Sequence, residues 1–437
     1  MPTELARTRT TQGNPLKFSG GEQSLVWTIW LIYGAFYFCR TNISSAVPGM
    51  GAPVAEGGLG LSSEEIGYIL ASLKLTYGVG QLLNGQLAER ISPRLMLAIG
   101  MLGSAALNVL FGFGTGFYFL LFIWASNGYC QALGWTPAMR ITSDWIPFHK
   151  RGKAIGLIGT GYQITLGLTY FVAGQSAEVF GWRGALYVPA ALLTAAAIFM
   201  FVCLKESPEA AAEAKRGHAE AGASAAAPRI QPGVVKVAQL TLLNPALWLM
   251  GLSLGLLNAN RYGFVDWGVA HLIEVQNTGV GPAALKYVVL PIGAVAGSFW
   301  AGWITDRFFG SRRAPVVCIF LVCLGFLTLA YEYAARQNVF VTLVLLVLIG
   351  FCIYGPQVLL VGTAPVDMAR QGTAAAAAGF VNFLGYMGAA AGDYATGYFK
   401  AQEHGGWQMA IYVWAAWAFA AAALVAVLWN VRPVPKD

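Results

Sequence analysis

Two stretches, "GQLAERISPR" (85–94) and "GWITDRFFGSRR" (302–313), decide the fold. Each opens on glycine, carries an acid–arginine pair four and five residues later, and continues into further basic residues. They lie 217 residues apart, and each follows the second apolar segment of its half of the chain. The duplication says that one unit of folding is used twice.

Working outward, the flanking sequence is mostly apolar. Of 437 residues, 57% are hydrophobic and 11% charged, against about 25% charged in a soluble domain. Twelve segments are long enough to cross a bilayer as helices: 24–46, 65–88, 95–114, 118–139, 153–176, 184–204, 241–270, 284–304, 315–334, 339–363, 374–399 and 409–431. The one long polar break, 205–236, is rich in Ala, Glu and Lys and reads as a linker. The expected organisation is therefore an N-terminal six-helix half (1–204), a cytoplasmic linker (205–236) and a C-terminal six-helix half (237–437). The first apolar run is too long for a secretory signal and lacks a small-residue cleavage site.

Lys and Arg orient the chain. Twenty lie in the N-terminus, the loops between even and odd spans, and the C-terminus; Arg183, Lys286, Arg336 and Lys400 lie on the other side. Both termini are expected to be cytoplasmic. The net charge of +7 reports this asymmetry rather than a nucleic-acid partner. The six cysteines lack metal-binding spacing and are expected to be buried free thiols. No metal or cofactor is expected. No Walker loop, HExxH motif or nucleophile elbow is present, so an enzyme is not expected.

Three cations remain inside spans: Arg40, Lys74 and Arg261. A charge in hydrocarbon is costly, so its presence there points to function. Arg40 and Arg261 are 221 residues apart, nearly the loop offset, and lie at similar depths of the first span of each half. Two guanidiniums facing each other across a central cavity suit an oxygen-rich anion. Tyr33 and Tyr37 precede Arg40 by seven and three residues and share its face; Asn258 precedes Arg261 by three. Lys74 has two possible counter-charges, Asp266 and Asp393, which are also candidates for coupling. Gln131, Tyr162, Gln163 and Asn382 are further polar candidates for the cavity wall. Glu89–Arg90 and Asp306–Arg307, in the duplicated loops, are candidates for gating latches.

"YFCRTN" (37–42), "NGYCQALGWTPAMR" (127–140), "RYGFVDWGVAHLIEV" (261–275) and "YGPQVLLVGTAPVDMARQGTAAAAAGF" (354–380) resemble the organophosphate:phosphate antiporters of the major facilitator superfamily. The resemblance runs through both halves. It implies an all-α membrane fold of twelve helices, in two six-helix halves around a central cavity. It also implies a bacterial inner-membrane secondary transporter, monomeric, exchanging an organophosphate or phosphonate for inorganic phosphate by a rocker-switch movement. Arg40 and Arg261 match the two arginines that hold the substrate phosphate. The chain departs from the family pattern at several points: Thr41 follows Arg40 where the family usually has Lys, Gln81 and Pro291 replace a lysine and an acid, and Tyr162 or Gln163 falls near a cavity histidine. Two alternatives stand beside antiport: proton-coupled symport of a carboxylate or other anion, motivated by Asp393, and a transporter-like sugar-phosphate sensor.

Overall fold

The computed structural model describes residues 18–87, 91–204, 234–310, 312–368 and 373–431, and every regular element among them is helical. The first half comprises α1 (Gly20–Ala35), α2 (Ile43–Gly51), α3 (Ser63–Leu87), α4 (Pro93–Phe113), α5 (Phe117–Ala132), α6 (Trp135–Trp145), α7 (Phe148–Phe180) and α8 (Gly184–Cys203). The second comprises α9 (Val234–Leu242), α10 (Pro245–Tyr262), α11 (Gly268–Gln276), α12 (Val280–Tyr287), α13 (Leu290–Phe308), α14 (Arg313–Gln337), α15 (Val339–Val358), α16 (Ala364–Met368), α17 (Ala374–Lys400) and α18 (Gly406–Ala426). Residues 205–233, most of the expected linker, lie outside the described residues, as do Glu89 and Arg90.

Seven helical stretches among the described residues are long and apolar enough to cross a membrane. They match the expected spans 3, 5, 6, 8, 9, 10 and 12. The other five are the ones whose polar residues or backbone breaks turn inward. Span 1 is broken between α1 and α2, and span 4 between α5 and α6. Span 2 carries Lys74, span 11 carries Asp393, and span 7 carries Arg261 and Asp266. A helix that faces a polar cavity on one side needs apolar residues only on the other, so its mean hydropathy falls.

Outward-facing Phe122, Val202, Phe299, Phe326 and Phe340 stay exposed, as helices in a bilayer require. Cys203 and Cys323 are exposed on this outer surface too. The expectation that all six thiols are buried is met by Cys39 and Cys352, while Cys130 and Cys318 are half-buried and Cys203 and Cys323 correct it outright: lipid, not protein, covers an apolar outer face. All six are free.

Two cores organise the bundle. One lies within the first half, around Ile29, Phe36, Leu97, Ile141 and Leu193. The other is continuous across both halves, from Met50, Ile66 and Tyr170 to Leu272, Ala284 and Tyr287. The first-half members of that bridging core lie toward the end where α2 finishes, here the far end; α1 begins at the near end.

Small residues bring the halves together there. A methyl group at Gly397 on α17 would overlap the carbonyl oxygen of Ser63 on α3. The tilted rings of Tyr68 and Tyr394 meet at 4.6 Å, Tyr394 donates to Glu64 (3.2 Å), and Lys400 pairs with Glu274 (2.9 Å) while donating to Ser63 (3.3 Å). Toward the near end α7 loses such neighbours: among the described residues nothing outside its own helix lies within 4 Å of a methyl group placed at Gly152, Gly156 or Gly159. Among the described residues the halves are pressed together at the far end, and α7 has no such close neighbour at its near end.

Candidate functional site

Span 1 does not run through as one helix. α1 ends at Ala35, Phe36–Cys39 is a turn of 3-10 helix, and α2 starts at Ile43. A break of this kind leaves carbonyls without helical partners, and each must be satisfied elsewhere. Gln131 Nε2 donates to Phe36 O (3.1 Å). Asn127 and Asn108 donate to Cys39 O (2.9 and 3.2 Å). Thr41 Oγ1 donates to Tyr37 O (3.1 Å), so the residue standing where a lysine is usual serves the backbone of the break. Arg40 sits within this break.

The Arg40 guanidinium is buried between two rings, 4.7 Å from the Tyr37 centroid and 4.4 Å from that of Tyr77. Its Nε donates to Gln131 Oε1 (3.0 Å), and Nη2 lies 3.5 Å from Gln131 O. Nη1 has no protein partner. Arg261, in the last turn of α10, is buried between Tyr262 (4.7 Å) and Tyr354 (4.9 Å), and its Nε has no protein partner. Tyrosine rings connect the two arginines: Tyr37 stacks on Tyr162 at 5.1 Å, and Tyr162 lies 6.4 Å from Tyr354 across the seam between the halves. Tyr33 closes the same wall beside Tyr37 and Tyr162. Ring faces are electron-rich and soften the burial of a guanidinium, each contact being worth about 0.5–2 kcal/mol, but they give it no anion.

Lys74 is differently placed. Its ammonium is paired with both Asp266 and Asp393; Nζ lies 2.7 Å from Asp393 Oδ2, and all three side chains are buried. Asp266 lies on a π-helical turn, Gly263–Trp267, that follows α10. A wider turn shifts the helical register, and here the carbonyl of Val265 accepts from Tyr170 of α7 (2.9 Å). Lys74 belongs to the first half and both acids to the second, so the cluster is an ionic bridge across the seam.

The remaining expected residues divide. Gln131 sits behind Arg40. Gln163 donates to Ser298 across the seam (2.8 Å). Asn258 Nδ2 is engaged by Gly385 O of α17 (3.0 Å), leaving Oδ1 without a partner. Asn382 is half-buried on α17, one turn before Tyr386. Gln81 is half-buried and reaches Ala132 O (3.5 Å), and Pro291 packs near Gly167 of α7. In the second duplicated loop, Arg313 pairs with Asp306 (3.0 Å) and with Asp367 (3.4 Å), whereas Arg307 is exposed. Asp306, Arg313 and Asp367 thus form a charged cluster within the second half.

Sequence reasoning missed Tyr77, Tyr262, Tyr354 and Tyr386. The signal was present for two of them: Tyr77 follows Lys74 by three residues, and Tyr386 precedes Asp393 by seven. The rings of Tyr77 and Tyr386 meet at 4.5 Å across the seam.

Comparison with known proteins follows this geometry. The chain is 29% identical over 375 residues to the membrane sensor protein UhpC of Escherichia coli (strain K12), covering 84% of this chain and 83% of that protein. It is 28% identical over 380 residues to the glycerol-3-phosphate transporter of Bacillus subtilis (strain 168), covering 83% and 82%. In fold it is similar to a bacterial homolog of the human lysosomal transporter Spinster, solved in an inward-facing and unoccupied conformation, with TM-score 0.73, 15% identity, and coverage of 94% and 96%. The profile of the Major Facilitator Superfamily matches residues 29–393. With its two bundles meeting around a buried polar centre, the chain belongs to that superfamily and is a membrane transporter by fold rather than an enzyme.

Proposed function

We propose that this protein is a secondary transporter that carries a small organophosphate anion in exchange for inorganic phosphate, held between Arg40 and Arg261. The observation that carries the reading is that one buried arginine from each half has guanidinium nitrogen without a protein partner, at Arg40 Nη1 and Arg261 Nε. A desolvated charge lacking a counter-anion costs several kcal/mol, and a phosphate with oxygens on both sides removes that cost for both halves at once. The name of the B. subtilis relative supports the same ligand class.

Exchange follows from the same electrostatics. With the site empty, closing it entirely would bring two uncompensated guanidiniums into a dry space. With an anion between them, closure is favoured, because the ligand binds the closed form better than the open forms. The carrier therefore reorients loaded and resists reorienting empty. We assign the near end to the cytoplasm, since 20 of the 27 Lys and Arg residues lie on that side. On this reading both termini are cytoplasmic, the membrane is a bacterial inner membrane, residues 205–236 link two halves of one monomer, and the conformation described is inward-open. Asp266 and Asp393 act through Lys74 as the charge network beside the site.

The test is counterflow in proteoliposomes. Labelled phosphate taken up only when phosphate or glycerol 3-phosphate is inside, and without a proton gradient, is the expected result. Uptake that needs a proton gradient and ignores internal phosphate would replace antiport by proton-coupled symport. The name of the E. coli relative makes a sensor the other reading; phosphate-ester binding with no exchange of any substrate would establish it.

A further inference from the structure

We propose that Gln131 is a positioning residue that sets which edge of Arg40 meets the anion, an inference that rests on reading Arg40 as an anion ligand. A guanidinium can meet an oxyanion through the edge formed by Nε and one Nη, or end-on through its two Nη groups. In this protein the first edge is already occupied: Nε donates to Gln131 Oε1 at 3.0 Å, and Nη2 faces Gln131 O at 3.5 Å. Only Nη1 lacks a partner. Arg40 is left to present its end.

Gln131 is itself held. Its Nε2 donates to Phe36 O (3.1 Å) and to Ser104 Oγ (2.7 Å). Ser104 donates to Asn127 Oδ1 (2.6 Å), and Asn127 donates to Cys39 O (2.9 Å). Asn108 donates to Cys39 O (3.2 Å) and accepts from Asn42 (2.9 Å). All five side chains are fully buried. The network therefore fastens both sides of the helix break and the guanidinium it carries, using amides from α4 and α5. Gln131, Ser104, Asn127 and Asn108 leave no buried polar side-chain atom unpartnered, Asn42 Oδ1 being the one exception in the network, and such bonding restricts the break to one geometry. Among the described residues Arg261 has no equivalent: it is flanked by rings, and its Nε has no partner. Arg40 is the preset half of the clamp and Arg261 the half that adapts.

The experiment uses Gln131→Met, which keeps length but removes the acceptor, with phosphate, glycerol 3-phosphate and glucose 6-phosphate as probes in exchange assays. The expected result is a rise of at least tenfold in half-saturating concentration for all three, by the same factor, in a protein that still folds but melts at a lower temperature, since Phe36 O and Ser104 Oγ also lose the Gln131 amide. A loss confined to the two esters would make Gln131 a contact for the organic group and overturn the proposal, as would unchanged affinity for all three. If Gln131→Met does not fold, Ser104→Ala removes one of the two anchors of the Gln131 amide, and a smaller uniform rise, about threefold, is expected; no rise overturns the proposal. Arg40→Lys is the separating control. Normal phosphate affinity there defeats the anion-site reading itself, whereas loss there with normal affinity in the Gln131 variant defeats only the positioning role.

Discussion

Lys74 on α3 and Asp393 on α17 belong to opposite halves, yet their charged groups lie 2.7 Å apart, with Asp266 completing the cluster. One cation is shared by two buried acids. Removing the cation strands both carboxylates, and a stranded buried charge costs about 3–5 kcal/mol. Lys74→Gln is therefore expected to abolish exchange and lower the melting temperature in detergent. Asp393→Asn leaves a one-to-one pair with Asp266 and is expected to be the milder change. Adding it to Lys74→Gln is expected to recover part of the lost stability. A double variant no more stable than Lys74→Gln would show that the cluster contributes no net charge pairing.

Arg40→Lys keeps the positive charge but replaces a planar fork by a point donor. Phosphate affinity is expected to fall at least tenfold in a binding measurement, with the helical content unchanged. Arg261→Lys is expected to behave in the same direction.

Tyr77 supports Arg40 through its ring face at 4.4 Å. Tyr77→Phe keeps that face and is expected to stay within about twofold of wild type in half-saturating phosphate. Tyr77→Leu removes a contact worth about 1 kcal/mol, so a rise of about fivefold is expected. Equal losses in both variants would place the role in the hydroxyl.

The far end closes where α3 and α17 touch backbone to backbone at Gly397, leaving no room for a side chain. Gly397→Leu is expected to wedge this end apart. Spin labels at Glu56 and Glu403, both exposed at the far end, are expected to report a longer mean distance, with exchange reduced at least tenfold. An unchanged distance would mean that the seam closes elsewhere.

The sequence by itself determined the architecture. Apolar length, the duplicated loop and the paired offsets of Arg40 and Arg261 require only local composition and covalent order, so two bundles of six spans and a polar centre were legible. It also identified the ions that meet, Lys74 with Asp266 and Asp393, because few charges exist in hydrocarbon to answer one another. The tertiary structure decided what those groups do. Gln131 read as one more polar candidate for the cavity wall, but the break in span 1 turns Phe36 O toward it and makes it the holder of Arg40. Tyr77, Tyr354 and Tyr386 enter the site only because the halves meet around them. Helical spacing gives the face of one helix. Which faces converge depends on how breaks and wide turns rotate each segment, and on where small residues such as Gly397 let two backbones touch.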